Sequence, residues 1–158
     1  MKNYTAKQIS TAGLIAAIYT AVTLATAGIS YGPVQFRIAE SMTLLPLLMP
    51  EAIPGLFVGC FLANIIGGYG IADAVIGSLA TLAAALVTRR CKGPLTGGLP
   101  PVIFNGIAIG AMLKVIGETT LALPVIMVMI AAEEAVSVYL FGMLLLTAIK
   151  RLPKNISE

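Results

Sequence analysis

Two adjacent carboxylic acids, Glu133 and Glu134, stand inside an otherwise apolar run that extends from Pro124 to Ile149. A charge within a bilayer costs roughly 2.5–3.5 kcal/mol on insertion scales, so acids at this depth call for a polar cavity or a partner. Along a helix they lie about 13–15 Å from Pro124, near the membrane midplane, and successive side chains point ~100° apart. One of the two is therefore expected to face a cavity, while the other pairs with a neighbouring helix or carries a proton. A second concentration of chemistry is Tyr31-Gly32-Pro33-Val34-Gln35-Phe36-Arg37-Ile38-Ala39-Glu40, which gathers aromatic, amide, guanidinium and carboxylate groups. A connector needs only small and polar filler, whereas a lid over a pocket uses stacking and hydrogen-bonding groups together. The alternative is a clasp in which Arg37 and Glu40 only bond each other. Asn64 and Asn105 place amides in apolar runs, where each can bond across helices or contact a ligand. Lys114 and Glu118, four apart, are expected to pair on one helix face.

Other chemistries are closed. The chain has no His, which removes imidazole metal ligands, His-containing triads and imidazole proton relays. Cys60 lies in an apolar run and Cys91 in a basic loop, so neither a disulfide nor a zinc site is expected. No segment has the phosphate-cradling GxxxxGK pattern. No cofactor is implied, and if ATP drives this protein, another subunit must hydrolyse it.

Membrane helices must position these groups. Of 158 residues, 58% are hydrophobic and 11% charged, whereas soluble domains carry about 25% charge. A soluble domain is excluded, and the length accommodates about six spans of ~20 residues in one membrane domain covering 1–158. Spans are expected at residues 10–29, 34–49, 53–69, 73–88, 100–115 and 124–149. The second is hard to divide, because its strongly apolar part carries Glu40 and Pro46 and as an α-helix would reach only ~18 Å. Gly55 and Gly59 in the third suit close helix approach, and Asp73 is placed to cap the fourth. Lys2 and Lys7 before an apolar stretch ending in Ala25-Thr26-Ala27 also fit a secretory signal. That stretch is long for a signal core, however, and further spans follow it.

With six spans and an inside N-terminus, the cytoplasmic face receives Lys2, Lys7, Arg89, Arg90, Lys92, Lys150, Arg151 and Lys154, eight of the ten basic residues. Five spans would put the last two basic clusters on opposite faces. The expected fold is thus an all-α bundle of six transmembrane helices with both termini cytoplasmic. Nucleic acid is excluded as a partner, because the basic residues sit at separate loops rather than in one patch with interleaved aromatics.

The string GPVQFRIAESMTLLPLL, the preceding AAIYTAVTL, and Glu134, Tyr139 and Gly142 in the last span resemble the QueT family, over nearly the whole chain. These are substrate-binding (S) subunits of energy-coupling-factor transporters. The resemblance implies a non-enzymatic six-helix protein of the bacterial cytoplasmic membrane. It implies capture from outside of a queuosine precursor, chiefly 7-aminomethyl-7-deazaguanine, and transport driven by a transmembrane coupling subunit and two ATPase subunits. The inventory suits such a ligand: Glu40, Glu133 and Glu134 offer acids, and Gln35, Arg37, Asn64 and Asn105 offer amide or guanidinium groups. Tyr31, Phe36 and Tyr69 offer stacking faces. The family's docking on the coupling protein through small residues of the first helix would fall on Ala12 and Ala16, although Gly13 with Ala17 and Ala17 with Ala21 share that spacing. Another vitamin or nucleobase as ligand keeps the fold, and a small oligomeric channel is the rival of a different class. An intramembrane enzyme lacks a paired nucleophile and base.

Overall fold

A computed structural model describes residues 5–30, 36–67 and 70–151 of the chain. Helix α1, Ala6–Ala25, opens on a reciprocal cap: Thr5 Oγ1 accepts from the Gln8 amide at 3.3 Å, and Gln8 Oε1 accepts from the Thr5 amide at 3.0 Å. The short α2, Ala27–Ser30, follows at once. Next comes a 3₁₀ helix, Ile38–Leu47, and then α3, Ala52–Gly67, and α4, Ile71–Thr88. One turn, α5 (Pro94–Gly97), precedes α6, Leu99–Val115. The last stretch comprises α7, Leu123–Ala135, a π-helical segment, Val136–Gly142, and α8, Met143–Arg151. No strand occurs among the described residues.

Four helical stretches are long and apolar enough to cross a membrane: Ala6–Ala25, Ile71–Thr88, Pro94–Val115 and Leu123–Arg151. The apolar Ile38–Leu47 and Ala52–Gly67 are shorter and correspond to the expected second and third spans. Between the expected fourth and fifth spans, Pro94–Gly97 is helical as well. Pro94, Pro100 and Pro101 lie in the first turns of α5 and α6, where a missing N–H leaves no bond unmade.

The 3₁₀ helix is the centre of the bundle, packed by α1, α3, α4, α5, the π segment and α8. Runs longer than three or four residues are uncommon for this geometry, and two features make it useful here. At ~2.0 Å per residue it stretches ten residues over ~20 Å, against ~15 Å for an α-helix. Its period of three also stacks Glu40, Thr43 and Pro46, all buried. Arg89 closes its far end, donating from Nη1 to the carbonyls of Pro46 at 3.0 Å and Leu47 at 3.2 Å.

Glycine lets the neighbouring helices approach. A Cβ on Gly55 would stand 2.8 Å from the Ala12 carbonyl oxygen, and one on Gly59 2.8 Å from Tyr19 Cβ, so α3 lies directly on α1 as the four-residue spacing implies. Gly106 and Gly110 do the same for α6 on α7: a Cβ at Gly110 would lie 2.8 Å from Met127 Cα. Gly142, at the end of the π segment, fits against the Ser41 carbonyl of the 3₁₀ helix.

Two expectations are corrected. Lys114 and Glu118 do not pair on one helix, because α6 ends at Val115 and Gly117 turns the chain at φ 80°; Lys114 Nζ instead donates to the Thr120 carbonyl at 3.4 Å. Asp73 is not the cap of α4, because the helix begins at Ile71 and Gly70, at φ 94°, holds the cap position.

Candidate functional site

The 3₁₀ helix, α4, α6 and α7 enclose a cavity lined by Arg37, Glu40, Gly77, Thr81, Asn105, Ile109, Ile130 and Glu134. Its free space is about 20 Å³ for the centre of a water molecule, room for about one water. Each element contributes for a local reason. Asn105 faces inward immediately before Gly106, which with Gly110 draws α6 onto α7. Glu134 stands at the end of α7, just before the wider turns of the π segment, a feature frequent at functional sites.

Arg37 begins the 3₁₀ helix and is buried, at 6% exposure. Its Nη2 lies 3.0 Å from Asp73 Oδ2 in a buried ion pair, and its Nε donates to the Ser30 carbonyl at 3.1 Å. Its Nη1 also approaches Cys60 Sγ at 3.8 Å. Glu40 does not bond Arg37 as a clasp would; its Oε1 accepts from the Tyr19 hydroxyl of α1. Asn64 Nδ2 joins α3 to α4 by donating to the Asp73 main-chain oxygen at 3.0 Å and lies 3.7 Å from Cys60 Sγ. The polar interior thus has two layers. An Arg37–Asp73–Asn64 cluster ties the elements together, and beside it lies the cavity, lined by two acids, Glu40 and Glu134.

Several buried acceptors in this region have no partner: Glu40 Oε2, Glu134 Oε1, Asp73 Oδ1 and Asn64 Oδ1. Such groups are costly to leave unbonded. They are oxygens, so the site as a whole offers acceptors to an N–H-rich or cationic guest. Both cysteines are free, and no metal-binding group of His, Cys, Asp or Glu occurs among the described residues.

The residues singled out from sequence are distributed unevenly. Glu134, Glu40, Arg37 and Asn105 come together on the cavity. Glu133, one position round the helix, is half-buried and does not line it. Asn64 is fully buried beside Gly77 but serves the α3–α4 contact rather than the cavity wall. Phe36 packs edge-to-face on Phe141, with ring centroids 6.1 Å apart at 68°. Tyr31, Gln35 and Tyr69 lie outside the described residues. Ala12 and Ala16 face α3 across Gly55 and Gly59, so that row is filled within the chain; Gly13, Ala17 and Ala21 are among the exposed small residues of α1.

Sequence reasoning passed over Tyr19, Thr81, Gly77 and the ion-pairing role of Asp73. Asp73 carried a signal, an acid at the edge of an apolar run, that helix capping absorbed. Tyr19 lies within the AAIYTAVTL string, and Thr81 is indistinguishable in sequence from helix filler.

Described residues without a strand, several membrane-length apolar helices and an acid-lined polar interior define a multi-pass membrane protein. The chain belongs to the QueT transporter family, whose family model matches residues 9–151; this is a family of transporters, not of enzymes. It is similar to the queuosine precursor transporter QueT of Lactococcus lactis subsp. cremoris (strain MG1363), at 31% identity over 84 residues. That match covers 52% of this chain and 49% of the relative, about half the length of each. No solved structure matches the chain.

Proposed function

We propose that this chain is the substrate-capture component of an energy-coupling-factor importer and that its cargo is a queuosine precursor, 7-aminomethyl-7-deazaguanine. The observation that carries the reading is the imbalance of the cavity. Glu40 and Glu134 line it, Arg37 is the one cation among its lining residues, and that cation is already held by Asp73. Two carboxylates, each with a partnerless buried oxygen, are left for a guest that brings positive charge and N–H donors. The aminomethyl ammonium supplies the charge, and the guanine-like edge supplies adjacent donors that suit a carboxylate. The Asn105 amide can meet the ring carbonyl or a ring N–H.

A two-ring ligand needs far more space than one water, so capture requires the cavity to widen. Ile109 and Ile130 form its apolar wall, and an outward shift of α6 with α7 enlarges it without disturbing the Arg37–Asp73 cluster. Energy then comes from elsewhere: a transmembrane coupling subunit and two ATPase subunits work with this chain, and the exposed Gly13, Ala17 and Ala21 row of α1 is the small-residue face left for docking. The proposed topology is six spans with both termini at the cytoplasmic face of a bacterial plasma membrane, supported by eight of ten basic residues falling on that face.

Titration calorimetry on the purified protein tests the reading. It expects tight binding of the deazaguanine and at least about tenfold weaker binding by Glu134→Gln, since a hydrogen bond to a charged group is lost. Absence of binding by the unmodified chain refutes the cargo assignment. Binding of a different nucleobase or vitamin in a ligand panel would keep the capture role and replace the cargo.

A further inference from the structure

We infer that Tyr19 is a positioning residue for substrate binding, acting only through Glu40; the inference rests on the capture reading above. Tyr19 is fully buried, and its hydroxyl donates to Glu40 Oε1 across 21 residues of sequence. The ring does not line the cavity, whereas Glu40 does. A phenol has one O–H to give, and this one goes to a carboxylate oxygen. The other oxygen, Glu40 Oε2, is buried and has no partner, and it is the oxygen available to a guest.

The surroundings of this pair hold it from both sides. On the α1 side, Gly59 leaves the space that Tyr19 fills: a Cβ there would lie 2.8 Å from Tyr19 Cβ and 3.0 Å from the Ala16 carbonyl oxygen. Thr20 Oγ1 reinforces the contact by donating to the Gly59 carbonyl at 3.1 Å. On the 3₁₀ side, Thr43 Oγ1 donates to the Glu40 main-chain oxygen at 2.6 Å and fixes the backbone that carries the acid. A glutamate has three rotatable side-chain bonds, and an unrestrained one would have to be ordered when ligand arrives. Tyr19 orders it beforehand, which is the preorganisation a tight site requires. Glu134 Oε1 likewise has no partner, so each of the two acids keeps one buried oxygen for a guest.

The experiment is a double-mutant cycle by calorimetry with the deazaguanine, using Tyr19→Phe, Glu40→Ala and the combination in the full chain. Tyr19→Phe should weaken binding by roughly tenfold in the parent background. In the Glu40→Ala background it should change affinity by less than about twofold, because the group through which it acts is gone. A purely structural tyrosine would weaken both backgrounds alike; that result, or unchanged affinity for Tyr19→Phe, overturns the inference. A second readout needs no ligand: infrared difference spectra against Glu40→Gln identify the Glu40 carboxylate bands, and Tyr19→Phe should shift them. If the parent chain binds no deazaguanine, or Glu40→Ala binds too weakly to measure, these bands decide. Unchanged bands overturn the positioning role, whereas loss of parent binding by itself refutes only the cargo assignment.

Discussion

Replacing Asp73 by Ala probes the ion pair on which the interior is built. Arg37 Nη2 and Asp73 Oδ2 are 3.0 Å apart, with side chains 6% and 3% exposed. At that distance and an effective dielectric near 20, their attraction is about 5.5 kcal/mol. Desolvation of both groups offsets much of this, so the pair itself adds little net stability; stranding one charge costs about 3–5 kcal/mol. Asp73→Ala is therefore expected to lose about 3–5 kcal/mol in reversible unfolding from mixed detergent micelles. The Asn64 bond to the Asp73 main-chain oxygen survives the change, so the loss reports the carboxylate alone. Binding should fall as well, because a guanidinium released from Asp73 can turn to Glu40, which lines the same cavity. The double variant Arg37→Met with Asp73→Leu removes both charges and should recover most of the lost stability. Wild-type unfolding and affinity in Asp73→Ala, or a double variant less stable than the single, would refute the reasoning.

Further outcomes follow from the same geometry. Gly110→Ala drives a Cβ to 2.8 Å from Met127 Cα, a backbone atom that cannot swing aside, and should cost about 1–3 kcal/mol in the same unfolding assay. Gly13→Ala meets nothing within 4 Å and should leave stability unchanged or raise it by up to about 1 kcal/mol. Asn105→Leu should weaken deazaguanine binding by roughly tenfold in calorimetry, through loss of a cavity amide. Asn64→Leu should instead lower stability by about 1–3 kcal/mol, through the bond it gives Asp73, with the smaller effect on affinity.

How far the site was legible depended on what kind of fact each residue required. Glu134 announced itself because an acid in a long apolar run has few inexpensive explanations, and Arg37 and Glu40 stood out within one dense polar string. The choice between Glu133 and Glu134 turned on helix rotation, which adjacent residues cannot supply. Asn64 and Asn105 look alike in sequence; one joins α3 to α4 and the other faces the cavity, a difference set by neighbours distant in the chain. Ala12 and Ala16 had the right spacing for close packing, but spacing alone does not say which helix uses it, and α3 does.

The sequence by itself determined the solvent this chain was made for and the kinds of group it hides from that solvent. Those are properties of composition and run length: 58% hydrophobic residues in long blocks, acids in their midst, no His and no phosphate cradle. It did not determine that the short, proline-containing second segment would wind as a 3₁₀ helix and become the hub of the bundle. Nor did it reveal that Asp73 would leave the capping role to hold Arg37, or that Tyr19 would hold Glu40. Only tertiary structure decided these pairings, because a buried charge or hydroxyl takes whichever complementary group packing brings within about 3 Å, and here those groups arrive from other helices.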